Sequence, residues 1–240
     1  GFAVEAVLVP QVRSDHVVAN LRAALALGVV AYPARTYVGA ALTVVRRRMR
    51  GSYWVPLGGS SVAGSMAYVE AARELAAQVR AGAMPEPDTI VVAAGSGGTA
   101  AGLAAGVAAA KMKTRVVAVA VATPIWTVAW LTRRMARACA KRAGSSVGEL
   151  VIDRGWCGAG YGVATAAGER AMAAAAKAGI VLDPIYTAKA FAAALDRVQN
   201  ASDSNVLFWH TLSSAPMAPL LADAPAEDAI DARVRGLLRA

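Results

Sequence analysis

Cysteine and histidine are scarce. The 240 residues hold two of each: Cys139 and Cys157, with no CxxC spacing, and His16 and His210, far apart. A zinc site of ordinary make-up and a disulfide scaffold are both excluded, and no metal is expected. Acid is short too. Sixteen Asp and Glu against 25 Lys and Arg leave a formal charge of +9, which permits an anionic ligand without requiring nucleic acid. A run of apolar residues long enough for a membrane is also missing. Val116 to Thr132 is uncharged over 17 residues, short of the roughly 20 a spanning helix needs, and Pro124 divides it into a β-branched strand and a helix rich in Trp and Leu. No basic stretch followed by an apolar one marks a signal peptide, so no membrane partner and a cytoplasmic location are expected. With 57% hydrophobic and 17% charged residues, a disordered chain is excluded as well.

What is present is alternation. Apolar, β-branched runs at Glu5–Val9, Val29–Pro33, Tyr53–Leu57, Thr89–Ala93, Arg115–Val121, Glu149–Ile152 and Val206–Trp209 read as strands. Between them, alanine-rich stretches read as helices: Asp15–Leu27, Val38–Met49, Ala63–Arg80, Thr99–Ala110, Thr127–Arg142, Ala166–Lys177 and Thr187–Gln199. Continuously apolar strands alternating with helices predict an α/β fold, mainly parallel sheets with helices on both faces. Ser14 and the pair Ser60-Ser61 stand where helix N-caps belong. Ala222 to Ala240 reads as a polar loop and a short basic helix. The arginines at positions 46, 47, 48 and 50 suit a solvated helix end better than nucleic acid, since no aromatics are interleaved. A boundary near Arg50-Gly51-Ser52 divides the chain into a smaller α/β domain, 1–52, and a larger ligand-binding α/β domain, 53–240.

The sharpest local signal is Thr89-Ile-Val-Val-Ala-Ala-Gly95-Ser96-Gly97-Gly98-Thr99-Ala100-Ala101-Gly102-Leu103, a buried strand that runs through a glycine-rich turn into a helix. Glycines let backbone N–H groups approach an oxyanion, and the helix N-terminus favours it. Gly95, Gly97 and Ala100 also fit the dinucleotide pattern, but that pattern calls for an acidic residue about 20 positions on. None occurs between Asp88 and Glu149, where eight Lys and Arg stand. No Lys-Ser or Lys-Thr pair follows the glycines, so the turn is not a P-loop. A single phosphomonoester fits best, with a 2′-phosphorylated dinucleotide as an alternative and a noncatalytic phosphate-ligand-binding protein as another.

Further segments join this loop in order. Gly58-Gly59-Ser60 and Tyr68-Val69-Glu70-Ala71 precede it. Gly160-Tyr161-Gly162, Leu182-Asp183-Pro184-Ile185-Tyr186-Thr187-Ala188-Lys189-Ala190 and Leu207-Phe208-Trp209-His210-Thr211 follow it. The ordered set, spanning nearly the whole chain, resembles the D-cysteine desulfhydrase and 1-aminocyclopropane-1-carboxylate deaminase family. The resemblance implies a pyridoxal 5′-phosphate enzyme of the tryptophan-synthase-β-like fold (fold type II), a small amino-acid substrate and a homodimer. It further implies that Ser96, Gly97, Gly98, Thr99, Ala100 and Gly102 cradle the cofactor phosphate. Tyr186 would stand beside the cofactor ring, Tyr161 would be the second active-site tyrosine, Thr187 would also bind the cofactor, and Thr211 would face the ring nitrogen. Threonine at 187 and 211 is the desulfhydrase pairing, which suits β-elimination; the deaminases usually carry Glu and Leu there.

The chain departs from the family pattern at Leu212-Ser213, where the family has Gly-Gly, and at Ala164, where it commonly has Pro. The family's Schiff-base lysine, in a Gly-Asn-Lys segment, and its Ser-Asn-His loop lie upstream of what Gly1 resembles. None of Lys111, Lys113, Lys141, Lys177 and Lys189 matches that lysine, and Lys189 reads as an exposed helix residue. The expectation is an N-terminally truncated enzyme, inactive as this fragment.

Overall fold

The computed structural model describes residues 2–48, 52–200 and 203–239. The chain divides into two compact units, one of residues 1–54 and 213–240, the other of Val55–Leu212. The sequence division had placed 213–240 with the larger unit; by contact they belong with the first.

The first unit opens with β1 (Glu5–Leu8), β2 (Gln11–Val12), α1 (Asp15–Ala26), β3 (Val30–Pro33) and α2 (Tyr37–Arg48). β1 and β3 pair in parallel, Glu5 opposite Val30 and Leu8 opposite Pro33. Ser14 caps α1 by accepting a bond from the Val17 N–H at 3.3 Å. Arg46, Arg47 and Arg48 fill the last turn of α2, where cations complement the helix dipole. Arg47 is further engaged, pairing with Glu5 at 2.7 Å and lying over the Tyr32 ring. Met49, Arg50 and Gly51, the end of that helix and most of the expected boundary, lie outside the described residues.

The second unit contains α3 (Val62–Arg80), β4 (Thr89–Ala94), α4 (Gly98–Ala109), β5 (Arg115–Ala120), α5 (Ile125–Ala143), β6 (Leu150–Asp153), α6 (Ala166–Ala176), α7 (Thr187–Gln199) and β7 (Val206–Phe208). The chain then returns to the first unit through α8 (Ala218–Leu221), α9 (Ala232–Arg235) and β8 (Leu238–Arg239), which pairs in parallel with β2. Tyr53–Leu57, expected as a strand, pairs with nothing among the described residues and runs into a tight 3-10 turn at Leu57–Gly59. Pro56 lacks a ladder donor, and Gly58 sits at φ +66°, which a continuing strand does not permit.

The four strands of the second unit form one parallel sheet in the order β6-β5-β4-β7. β4 and β5 lie at its centre and, after Thr89 and Arg115 at their starts, are apolar because both faces are covered. Ile90, Val92, Val116 and Ala118 point toward Leu75 of α3 and Leu103 of α4. Val91, Val117 and Val119 point the other way, onto Ala190, Ala193 and Ala194 of α7. Residue alternation thus sends successive side chains to opposite helical layers. The supposed membrane stretch splits at Pro124 into β5 and α5, and among the described residues no helix is long and apolar enough to cross a membrane.

Candidate active site

β4 delivers the glycine-rich turn at its carboxyl end, the place where open parallel sheets bind ligands. Gly97 is the N-cap of α4 at φ +84°, and no side chain caps the helix. Ala101 is the first residue whose N–H enters the ladder, bonding to the Gly97 carbonyl. The amides of Gly97 to Ala100 therefore point out of the helix end without a helical partner. Three of these four residues are buried, Thr99 partly so.

Side chains crowd this turn from three elements. Ser60 and Ser96 share a hydrogen bond at 2.6 Å between their hydroxyls. A Cβ on Gly98 would meet Ser60 Oγ at 2.7 Å and Ser65 Oγ at 3.2 Å; on Gly97 it would strike Thr132 Oγ1; on Gly95 it would meet Tyr186 Cε1 at 2.9 Å. Glycine is thus required by close approach at all three positions. Ser65 is buried, and its hydroxyl has no hydrogen-bond partner among the described residues. Free amides, two linked serine hydroxyls and an orphaned buried hydroxyl make an electropositive, donor-rich cradle that fits a phosphate monoester.

Tyr186 joins the cradle to a second loop. Its ring packs on Gly95, and its hydroxyl lies 2.6 Å from that of Tyr161, the rings edge to face at 6.0 Å. Burial, and then the hydrogen bond with Tyr161, push the Tyr186 hydroxyl well above the usual tyrosine range. Asp183 fixes the turn before Tyr186. One carboxylate oxygen accepts from the N–H groups of Ile185 (3.0 Å) and Tyr186 (2.7 Å), the other from the N–H (3.0 Å) and hydroxyl (2.5 Å) of Thr187. Burial alone would raise the Asp183 carboxyl, but those bonds, the Thr187 hydroxyl foremost, hold it below the usual carboxylate range.

The structure therefore gathers Ser96, Gly97, Gly98, Thr99, Ala100, Tyr186 and Tyr161 at one end of the sheet, with Thr211 nearby in topology. Thr211 is exposed, three residues beyond the Phe208–Val91 pair of β7 and β4. Two expected cofactor residues have other tasks. Gly102 lies a turn inside α4, its N–H within the ladder, and a Cβ there would strike the Ser65 carbonyl oxygen of α3. It lets two helices touch. Thr187 is 1% exposed, and its hydroxyl accepts from the Asp183 N–H (2.7 Å) while donating to the Asp183 carboxylate. It holds Tyr186 in place and has no free face for a cofactor. Ser60, Ser65, Thr132 and Asp183 were not assigned to the site from sequence. Gly58-Gly59-Ser60 and Asp183-Pro184 carried a local signal, whereas Ser65, in the first turn of α3, and Thr132, in the middle of α5, carried none. Among the described residues no cluster suits a metal.

Comparison with known proteins bears on the family and the fold. A D-cysteine desulfhydrase from Salmonella newport is 34% identical over 164 residues, covering 66% of this chain and 49% of the relative. A Thermotoga maritima protein provisionally named a 1-aminocyclopropane-1-carboxylate deaminase is 36% identical over 162 residues, covering 66% of this chain and 51% of that protein. The chain thus spans about half the length of the curated relatives it matches. In three dimensions it resembles the crystal structure of an ACC deaminase homologue, with TM-score 0.71, 25% identity, and 93% of this chain against 71% of that one. Threonine deaminase isoform 2 from Solanum lycopersicum shares the fold at TM-score 0.55 and 14% identity, over 93% of this chain and 67% of its own. These neighbours establish the tryptophan-synthase-β-like fold type II. The model of the pyridoxal-phosphate dependent enzymes matches residues 2–211, nearly the whole chain, and the protein belongs to that family.

Proposed function

We propose that the second unit is the cofactor-holding body of a lyase that catalyses β-elimination on a small amino acid, in the manner of a D-cysteine desulfhydrase. The observation that carries this reading is the joining of an uncapped, buried helix N-terminus to a pair of tyrosine hydroxyls through one ring, Tyr186, packed on Gly95. The amides of Gly97 to Ala100, with Ser60 and Ser96, would hold the phosphate. Bound pyridoxal phosphate supplies an electron-withdrawing ring that stabilises charge at the substrate Cα.

The protein's own groups have distinct parts. Tyr186, its affinity for a proton raised by burial, stays a phenol and donates to whatever faces it. Tyr161 is 42% exposed and stands on the solvent side of the pair, where it meets an incoming substrate. Thr211 would present a neutral hydroxyl to the ring nitrogen, a partner that withholds a full positive charge from the ring. Thr187 contributes by fixing Tyr186.

These 240 residues alone would bind the cofactor without turnover. Lys111, Lys113, Lys141 and Lys177 are exposed, and the Lys189 ammonium is held by two carbonyls, so no lysine here is set to bond the cofactor. That observation also favours a second reading, a noncatalytic binder of a phosphorylated ligand. Titration with pyridoxal phosphate, followed by the fluorescence of the five tryptophans and competed by inorganic phosphate, tests the cradle. Substitution of Gly97 should abolish the quenching; quenching that survives would refute the assignment. The protein extended to the full length of its relatives should then release sulfide from D-cysteine. Ammonia from 1-aminocyclopropane-1-carboxylate instead would mark a deaminase, and no turnover on either would mark the binder.

A further inference from the structure

Lys189 is the third residue of α7, one turn beyond Tyr186. In sequence it looks like an exposed helix lysine, yet it is fully buried, while the other four lysines are exposed. A buried ammonium is expensive unless it is well hydrogen-bonded. Among the described residues no carboxylate pairs with Lys189. Its Nζ donates to the carbonyl oxygens of Cys157 at 2.8 Å and Gly160 at 3.4 Å. Burial lowers its affinity for a proton, offset in part by the Cys157 thiol.

The loop it holds has little else to fix it. Gly158, Gly160 and Gly162 all have positive φ, at +67°, +143° and +82°. No backbone–backbone hydrogen bond ties residues 156–163 among the described residues. Trp156 Nε1 donates to the Asp153 carboxylate at 3.1 Å where the loop begins; beyond it two hydrogen-bonded anchors remain, Lys189 Nζ on the loop carbonyls and the Tyr186 hydroxyl on Tyr161. Both anchors start from the first turn of α7, three residues apart, so they face the loop from one rigid template.

We propose that Lys189 is a positioning residue, whose ammonium clasps the Cys157 and Gly160 carbonyls and so sets where the Tyr161 hydroxyl stands against Tyr186. The catalytic meaning of that placement rests on the lyase reading above; the clasp itself does not. Lys189→Met keeps the length of the side chain and removes its donors. Cys157 is buried and Gly160 half-buried, so their carbonyls regain partners only when the loop swings out to water, and the loop detaches.

The test uses four measurements on the chain and one on the enzyme. Chymotryptic cleavage after Tyr161, identified by mass, should rise at least about tenfold in K189M, with a thermal midpoint within about 4 °C of wild type. An unchanged cleavage rate overturns the clasp. In wild type under native acetylation, Lys189 should react at least about a hundredfold more slowly than Lys111, Lys113, Lys141 and Lys177. Comparable rates overturn it without any variant having to fold. In the extended enzyme kcat should fall in K189M as far as in Y161F, and the double variant should fall no further; additive losses would show that Lys189 does not act through Tyr161. Pyridoxal phosphate titration of K189M keeps the two readings apart. Failure of both wild type and variant to bind it would sink the lyase reading, while cleavage and acetylation would still decide the clasp.

Discussion

Two glycine-rich loops meet at the carboxyl end of this sheet, and they use glycine for different reasons. In Gly95–Gly98 the need is mostly space, because Tyr186, Thr132, Ser60 and Ser65 occupy the volume that Cβ atoms would take. In Gly158–Gly162 the need is mostly backbone conformation. Gly160, at φ +143°, has nothing within 4 Å of where its Cβ would lie. The first loop is buried, interlocked with α3 and α5, and rigid enough to present amides to an anion. The second is open and hangs from α7 by a lysine and a tyrosine. Under the proposed lyase function, the first loop would serve as a preorganised anion site and the second would carry an adjustable, substrate-facing tyrosine.

Paired substitutions break this comparison most strongly. Gly97→Ala should lose about 2–4 kcal/mol, from a left-handed backbone and an overlap with Thr132, whereas Gly160→Ala should lose about 1 kcal/mol or less. Urea unfolding midpoints measure both, and equal losses would erase the distinction between the loops. Next in size is the turn that links them. Asp183→Ala removes four bonds to one carboxylate and should destabilise by about 2–3 kcal/mol.

The pH dependence at that turn has a defined sign. The folded-state value of Asp183 is depressed below its ordinary 3.8, so its ionised form stabilises the fold above that pH. The contribution is lost as pH falls through the folded value. The gap in melting temperature between wild type and Asp183→Asn should therefore hold at pH 7 and close on acidification below the ordinary value. A gap that widened in acid would contradict the assigned bonds. The smallest effect sharpens the cradle. Ser60→Ala removes the partner of the Ser96 hydroxyl and should cost about 1 kcal/mol. The matching loss in pyridoxal phosphate affinity, read by tryptophan fluorescence, is about fivefold.

Much of this was legible in the chain. The apolar runs of β4 and β5 marked them as central strands, since only a strand covered on both faces is apolar at every position. Ser14 and Ser61 announced the starts of α1 and α3. The glycine turn announced itself because glycines between a strand and a helix have few other uses. β2 and β8 could not be found this way: each is two residues long, and a two-residue pair has no periodicity. The grouping of 213–240 with the first 54 residues was hidden for the same reason, since its parallel pairing joins positions more than 220 residues apart.

The sequence by itself determined the α/β class, the order of the main helices and central strands, and the glycine-rich turn, while the two tyrosines entered only through the family resemblance. Local rules govern these: hydrophobic period, capping hydroxyls, and the backbone freedom of glycine. Only the tertiary structure decided what a given polar side chain does. Thr187 turned inward to Asp183, Gly102 became a point of helix contact, and Lys189 was buried under the tyrosine loop. A side chain's hydrogen-bond partner is set by which distant segment packs over it, and for Lys189 that segment lies about 30 residues upstream, at Cys157 and Gly160.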